Sequence, residues 1–227
     1  MIKPLYYYLV CLLITIIMDA NAQILPKTKP VKFLALGDSY TVGESVAEVQ
    51  RWPDRLMEAL KKKGYTCGKP KVVAMTGWRT DDLKKAIEAA SLSKDYDLVS
   101  LLIGVNNQYQ GKSISEYETE FEGLLNTAIQ HAGGEKKNVF VLSIPDYGFT
   151  PFGKERQKKI TSQIDAFNEV NRAVTEKKGV PYINITDISR RGLAETDLVA
   201  EDGLHPSGTM YILWVERILE RLTPDQR

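Results

Sequence analysis

Five short apolar runs, each followed by an amphipathic stretch, constrain the fold of this chain more than any other feature. The runs are Val31 to Leu36, Lys71 to Met75, Leu98 to Ile103, Val139 to Ile144 and Tyr182 to Ile185. Each is mostly continuous rather than alternating and rich in Val, Ile and Leu, as strands buried on both faces are. The stretches between them carry helical periodicity. Trp52, Leu56, Ala59 and Leu60 form one stripe, with Pro53 in the first turn and Gly64 just past the end. A second helix is expected from near Thr80, with Leu83, Ile87 and Ala90 on one side. A third opens with the capping box Ser115-x-x-Glu118, runs through Tyr117, Phe121, Leu124, Leu125, Ala128 and Ile129, and stops at Gly133-Gly134. A fourth carries Ile160, Ile164, Phe167, Val170 and Val174 before Gly179. The last starts at Pro206 and buries Tyr211, Trp214, Ile218 and Leu222. Strands alternating with helices imply right-handed crossovers and a parallel sheet covered on both faces. The expected architecture is an α/β/α sandwich of one domain, with a five-stranded parallel sheet. One long irregular connection, Pro145 to Gly153, follows the fourth strand.

Composition narrows the functional classes. With 30 Lys and Arg against 29 Asp and Glu, the net charge is +1, and the chain lacks the basic footprint of a nucleic-acid binder. A 43% hydrophobic content over 227 residues suits a globular protein and excludes a disordered one. Residues 1–22 read as a signal peptide: Lys3 supplies a positive start, Leu5 to Met18 is apolar, and Ala20-Asn21-Ala22 has the form of a cleavage site. The apolar run is shorter than the roughly 20 residues a bilayer requires. The expectation is therefore an exported (periplasmic or extracellular) domain over residues 23–227, with no stable membrane insertion after cleavage. Cys11 lies in the signal and Cys67 stands alone in the remainder, so no internal disulfide is expected. Cys67 reads as a small filler between Lys61-Lys62-Lys63-Gly64 and Gly68-Lys69-Pro70 rather than as a nucleophile. The composition says nothing about oligomeric state.

Ligands of such a sheet bind beyond the carboxyl ends of the strands, and the residues there are informative. Gly37-Asp38-Ser39-Tyr40 follows the first run. Its glycine permits a sharp turn that exposes the serine hydroxyl, although a serine here also suits a helix N-cap. Gly77, in Thr76-Gly77-Trp78-Arg79, serves the turn or presents an unobstructed backbone N–H. Asn106 and Asn107, in Gly104-Val105-Asn106-Asn107, are costly at a buried strand end unless paired, so they brace a loop or donate to something bound. In Asp202-Gly203-Leu204-His205 a carboxylate three residues before a histidine can reach the imidazole and would then fix the tautomer that leaves Nε2 free as a base, although the same pair also reads as a helix-capping Asp beside an incidental His. The only other histidine, His131, falls at a helix end, where a cation suits the macrodipole. A serine, a backbone donor, an amide donor and an Asp–His pair on one sheet edge are the parts of an acyl-transfer site.

The same blocks resemble those of a known family. GDSY at 37–40, Gly77, GVNN at 104–107 and DGLHP at 202–206 are similar, in order and spacing, to the blocks of the SGNH hydrolases, also called GDSL esterases and lipases. The resemblance implies a flavodoxin-like fold, with Ser39 as nucleophile and Asp202 and His205 completing the triad. It also implies oxyanion donors from the N–H groups of Ser39 and Gly77 and from the Asn106 side chain. No metal or organic cofactor is required, and the expected partner is a small-molecule acyl ester. RWPDRL after the first block resembles secreted acyl-esterase, lysophospholipase and acyl-thioesterase members. The chain departs from the family at Tyr40, where an aliphatic residue is usual, and at Asn107, where Asp is usual. No GxSxG is present, which argues against the unrelated α/β-hydrolase elbow. Trp78, Tyr109, Tyr147, Phe149 and Phe152 fall near strand ends and are expected to form an aromatic rim or to pack the loops. The expectation is a serine esterase for small or medium acyl esters. A lysophospholipase or thioesterase of the same fold and a non-catalytic binding module are the alternatives.

Overall fold

The strands and helices alternate as the apolar pattern predicts. In the computed structural model, Leu25 and residues 27–223 are described; the expected signal peptide and Cys11 lie outside the described residues. The elements are β1 (Phe33–Gly37), α1 (Ser39–Val42), α2 (Trp52–Lys62), β2 (Lys71–Ala74), α3 (Thr80–Ala89), β3 (Leu98–Leu102) and α4 (Val105–Tyr109). They continue with α5 (Ile114–His131), β4 (Val139–Leu142), α6 (Gln157–Lys177), β5 (Tyr182–Ile183), α7 (Thr186–Ser189) and α8 (Gly208–Leu222). All strand pairings are parallel, in the order β2-β1-β3-β4-β5. Ala35 of β1 pairs with Val72 on one side and with Ser100 on the other, which fixes the register of the sheet centre. This is the flavodoxin-like doubly wound order, whose direction reverses between β1 and β3. The crevice at that switch point lies beside Ser39 on one strand end and Asn106 on the other.

The central strands β1, β3 and β4 are buried along their whole length. Burial on both faces does not extend to β2, where only Val73 is buried, because an edge strand has a neighbour on one side only. Aromatic packing anchors the helices to the sheet. Trp52 of α2 meets Phe33 of β1 at 5.9 Å and Phe140 of β4 at 6.2 Å between ring centroids. Tyr117 of α5 lies 4.8 Å from Phe167 of α6. Helix α2 packs on α8, and α5 packs on both α3 and α6. Among the described residues no helix is long and apolar enough to cross a membrane.

Two helix starts differ from their expected positions. Helix α5 begins at Ile114, capped by Ser113, whose Oγ accepts the Glu116 N–H at 3.1 Å. Ser113-x-x-Glu116 has the same spacing as Ser115-x-x-Glu118, but the Glu116 carboxylate pairs with Lys112 at 2.6 Å instead of closing the box. Helix α8 begins at Gly208 behind a Ser207 cap, so Pro206 precedes the helix and bridges to Val199. His131 does end α5, but it is buried, and its Nδ1 bonds the Ser93 carbonyl at 2.7 Å. It ties the helix end to the loop before β3. Cys67 is half-buried beside Val31, and burial raises its thiol pKa, which suits a packing residue rather than a nucleophile.

Candidate active site

The turn after β1 leaves no room for a side chain at Gly37. A Cβ there would lie 2.6 Å from the Leu102 carbonyl oxygen and 2.2 Å from Thr41 Oγ1. The next residue, Asp38, is the cap of α1: its Oδ1 accepts the Tyr40 N–H at 3.1 Å. Ser39 is thus the first residue of the helix and not its N-cap. Asp38 is buried, and its Oδ2 has no hydrogen-bond partner among the described residues. Burial pushes its carboxyl up to about 7, against the smaller opposing effect of backbone N–H groups. The folded chain therefore keeps a proton that the unfolded chain releases near 3.8, and stability declines as pH rises through that window. Asp38→Asn keeps the acceptor for Tyr40 and has no charge to bury. Its melting temperature is expected to fall less than that of the wild type from about pH 5 to about pH 8. Equal slopes would show that Asp38 stays ionised throughout.

The loop after β2 presents Gly77 at φ +85°, a left-handed conformation that needs glycine although the space around it is open. Ties to both sides hold this loop. Thr76 donates a hydroxyl hydrogen bond to Glu44, just beyond α1, and the Trp78 carbonyl accepts from Asn106 Nδ2 at 2.9 Å.

The two asparagines after β3 divide the roles that the sequence left open. Asn107 is fully buried and braces: its Oδ1 accepts the Thr80 N–H at 3.1 Å and its Nδ2 donates to Thr80 Oγ1 at 2.6 Å. The Thr80 hydroxyl in turn donates to Glu120. An Asp at 107 would offer acceptors only, whereas this Asn–Thr–Glu chain runs donor to acceptor throughout. Asn106 faces the cavity. Trp78 takes one of its two amide hydrogens, which orients the group and leaves the other free for a ligand.

Asp202 and His205 sit on the turn before α8. Asp202 Oδ1 accepts the N–H groups of Leu204 and His205, both at 2.9 Å. Its Oδ2 accepts from Ser45 Oγ and from His205 Nδ1, both at 2.6 Å. Partial burial works to raise this carboxyl, but these four donors outweigh it and hold it well below the ordinary carboxylate range. An ionised carboxylate only accepts, so Nδ1 carries the imidazole proton and Nε2 of the neutral ring keeps its lone pair. The Tyr40 ring packs edge-on to the imidazole at 5.8 Å, and the Tyr40 carbonyl accepts the Tyr211 hydroxyl at 3.0 Å. The tyrosine that departs from the family pattern is thus a wall for the imidazole.

One cavity of about 190 Å³ brings together Ser39, Gly77, Asn106 and His205. Tyr40, Thr76, Val105 and Leu204 complete its lining with three aromatic rings, of which Tyr147 is buried and Tyr109 and Phe152 are half-exposed. The three rings lie 6.1 to 6.4 Å apart. Of the five expected rim residues, Trp78 and Phe149 do not line the cavity. Phe149 instead packs under the Arg190 guanidinium at 6.0 Å and faces a separate, open groove over the start of α6. Asp146 and Arg190 had no sequence signal. Asp146 is buried, accepts from Arg190 Nε at 3.0 Å and from the Gly148 N–H at 2.9 Å, and so shapes the loop that carries Tyr147 and Phe152. Among the described residues no group of three His, Cys, Asp or Glu is placed to hold a metal.

Residues 35–212 match the model of the GDSL-like lipase/acylhydrolase family. The chain belongs to this family. Its fold is shared with a lipase/acylhydrolase from Enterococcus faecalis, at a TM-score of 0.65 and 23% identity over 87% of this chain and 100% of that one. An acetylxylan esterase from Geobacillus stearothermophilus is similar at a TM-score of 0.66 and 18% identity, over 88% of this chain and 98% of that one. An esterase from a Pseudoalteromonas species superposes at 0.60 with 15% identity, over 84% and 96%. No curated protein matches the chain in sequence. Membership of this family makes the chain a hydrolase and implies small-molecule ester substrates.

Proposed function

We propose that this GDSL hydrolase is an exported serine esterase for small or medium acyl esters. The observation that carries the reading is the convergence of Ser39, Gly77, Asn106 and the Asp202-bound His205 on one cavity. In the proposed reaction His205 Nε2 takes the Ser39 proton as Oγ attacks the ester carbonyl. Asp202 holds the imidazole and stabilises its charged form. The oxyanion is bound by the N–H groups of Ser39 and Gly77 and by the free Asn106 amide hydrogen. The tetrahedral intermediate collapses as His205 protonates the departing alcohol, leaving an acyl-enzyme. Water, deprotonated by the same imidazole, then releases the acid and restores Ser39.

Cavity size supports the short-chain preference. About 190 Å³ is several times the ~30 Å³ share of one water but below the roughly 300–1,000 Å³ of drug-sized ligand sites. Tyr109 and Phe152 are half-exposed in its lining, where a flat ring suits the face of a sugar. The resemblance to a protein named as an acetylxylan esterase supports O-acetylated sugars as the substrate class. A p-nitrophenyl series from acetyl to palmitoyl is expected to peak at the short end. A sharp optimum at long chains would favour the lysophospholipase reading. A fluorophosphonate probe is expected to label Ser39 and to fail on Ser39→Ala, and a folded wild type that takes no label would be a binding module. Export rests on the apolar run and Ala20-Asn21-Ala22. Secreted material is expected to begin at Gln23, and recovery of Met1 would overturn cleavage.

A further inference from the structure

Beyond the expected triad and oxyanion residues, one contact joins the two halves of the site. We propose that Ser45 is a positioning residue for the Asp202–His205 pair, a role that rests on the esterase reading above. Its Oγ donates to Asp202 Oδ2, the same oxygen that accepts His205 Nδ1, each at 2.6 Å. Oδ1 is occupied by two backbone N–H groups, so Ser45 completes the hydrogen bonding of the carboxylate and fixes its rotation. Ser45 is also the one non-glycine residue at positive φ, +66°, among the described residues. Glycine would relieve that conformation, so the backbone gains nothing from serine and the hydroxyl is what the position uses.

Its place in the chain gives the contact a mechanical sense. The Ser39 carbonyl accepts the Gly43 and Glu44 N–H groups at 3.0 and 3.1 Å, closing α1 into a rigid turn. Ser45 extends from this turn to the carboxylate, while Glu44 beside it accepts from Thr76 on the Gly77 loop. The segment after the nucleophile therefore registers Ser39 against His205 on one side and against Gly77 on the other. The hydroxyl also shares the carboxylate charge with the imidazole. Without it, Asp202 acts on His205 more fully and the protonated ring is favoured. Other ionisable groups near the pair are Tyr40, edge-on to the ring, Tyr211 behind it, Glu44 and the buried Asp38.

The test uses Ser45→Gly, which relieves the backbone, and Ser45→Asn, which tolerates positive φ and restores an N–H donor. The chain has only two histidines, so NMR titration of the ring signals, assigned with His205→Gln, follows His205 without any turnover. Ser45→Gly is expected to keep or raise the melting temperature while the His205 ring signals change with pH at a higher midpoint than in the wild type. On p-nitrophenyl acetate its kcat is expected to fall on the order of 10-fold with little change in KM. Ser45→Asn is expected to return both toward wild type. Wild-type titration and kcat in Ser45→Gly would overturn the proposal. Wild-type protein that neither turns over esters nor takes a fluorophosphonate label would overturn the esterase reading instead, and the titration would still decide whether Ser45 acts on the pair.

Discussion

Asp202→Asn is expected to fold like the wild type and to lose up to about 10⁴ in kcat, by analogy with the same change in a serine protease. Folding survives because the amide keeps an oxygen where Oδ1 accepts the Leu204 and His205 N–H groups. Chemistry does not survive, because an NH2 now faces His205 Nδ1. That nitrogen must become the acceptor, the ring proton moves to Nε2, and Nε2 can no longer take the serine proton. The wild-type control is its pH profile. The Asp202 carboxyl is held well below the ordinary range, so it stays ionised across the neutral and mildly acidic range. kcat/KM is therefore expected to fall toward acid with a single ionisation. His205→Ala should abolish turnover and His131→Ala should not, since His131 is tied to Ser93 at the far end of α5. The opposite pattern would displace His205 as the base.

Asn106→Ala is expected to lower kcat by roughly 10²–10³ with KM little changed, the usual cost of one oxyanion donor. The structure supplies the control that isolates this effect. Asn107 is buried with both ends of its amide paired to Thr80, so Asn107→Ala orphans buried polar groups and is expected to lower the melting temperature as well. Among the described residues the Asn106 side chain has only the Trp78 carbonyl as a partner, and its removal should leave the melting temperature close to wild type. A melting loss for Asn106→Ala as large as that for Asn107→Ala would make Asn106 a brace too.

Most of the fold was legible because it rests on local patterns. A continuous apolar run reads as a central strand wherever it stands, and each strand end then locates a block of the site. The structure differs from the expectation where local patterns are degenerate. Ser113 and Ser115 both precede a Glu by three residues, and only the Lys112 pairing of Glu116 and the Ser113 contact distinguish them. Among the rim aromatics, Phe149 and Phe152 are three residues apart on one loop but face different cavities, because buried Asp146 and Arg190 set the path between them. What the sequence could not reveal were side-chain contacts between distant segments. Ser45 and Asp202 are 157 residues apart, and Asp146 and Arg190 are 44 apart, with no periodicity linking either pair.

The hydrogen bond from the Tyr211 hydroxyl to the Tyr40 carbonyl spans 171 residues. Read as an order of synthesis, it means that the serine and both amide-bearing loops leave the ribosome well before the imidazole and the helix behind it. Until α8 settles against α2, Tyr40 lacks its support, and the proposed nucleophile has no base. Contacts of such long sequence separation form late and slowly. Under the proposed mechanism, hydrolysis therefore reports this docking step rather than the collapse of the sheet.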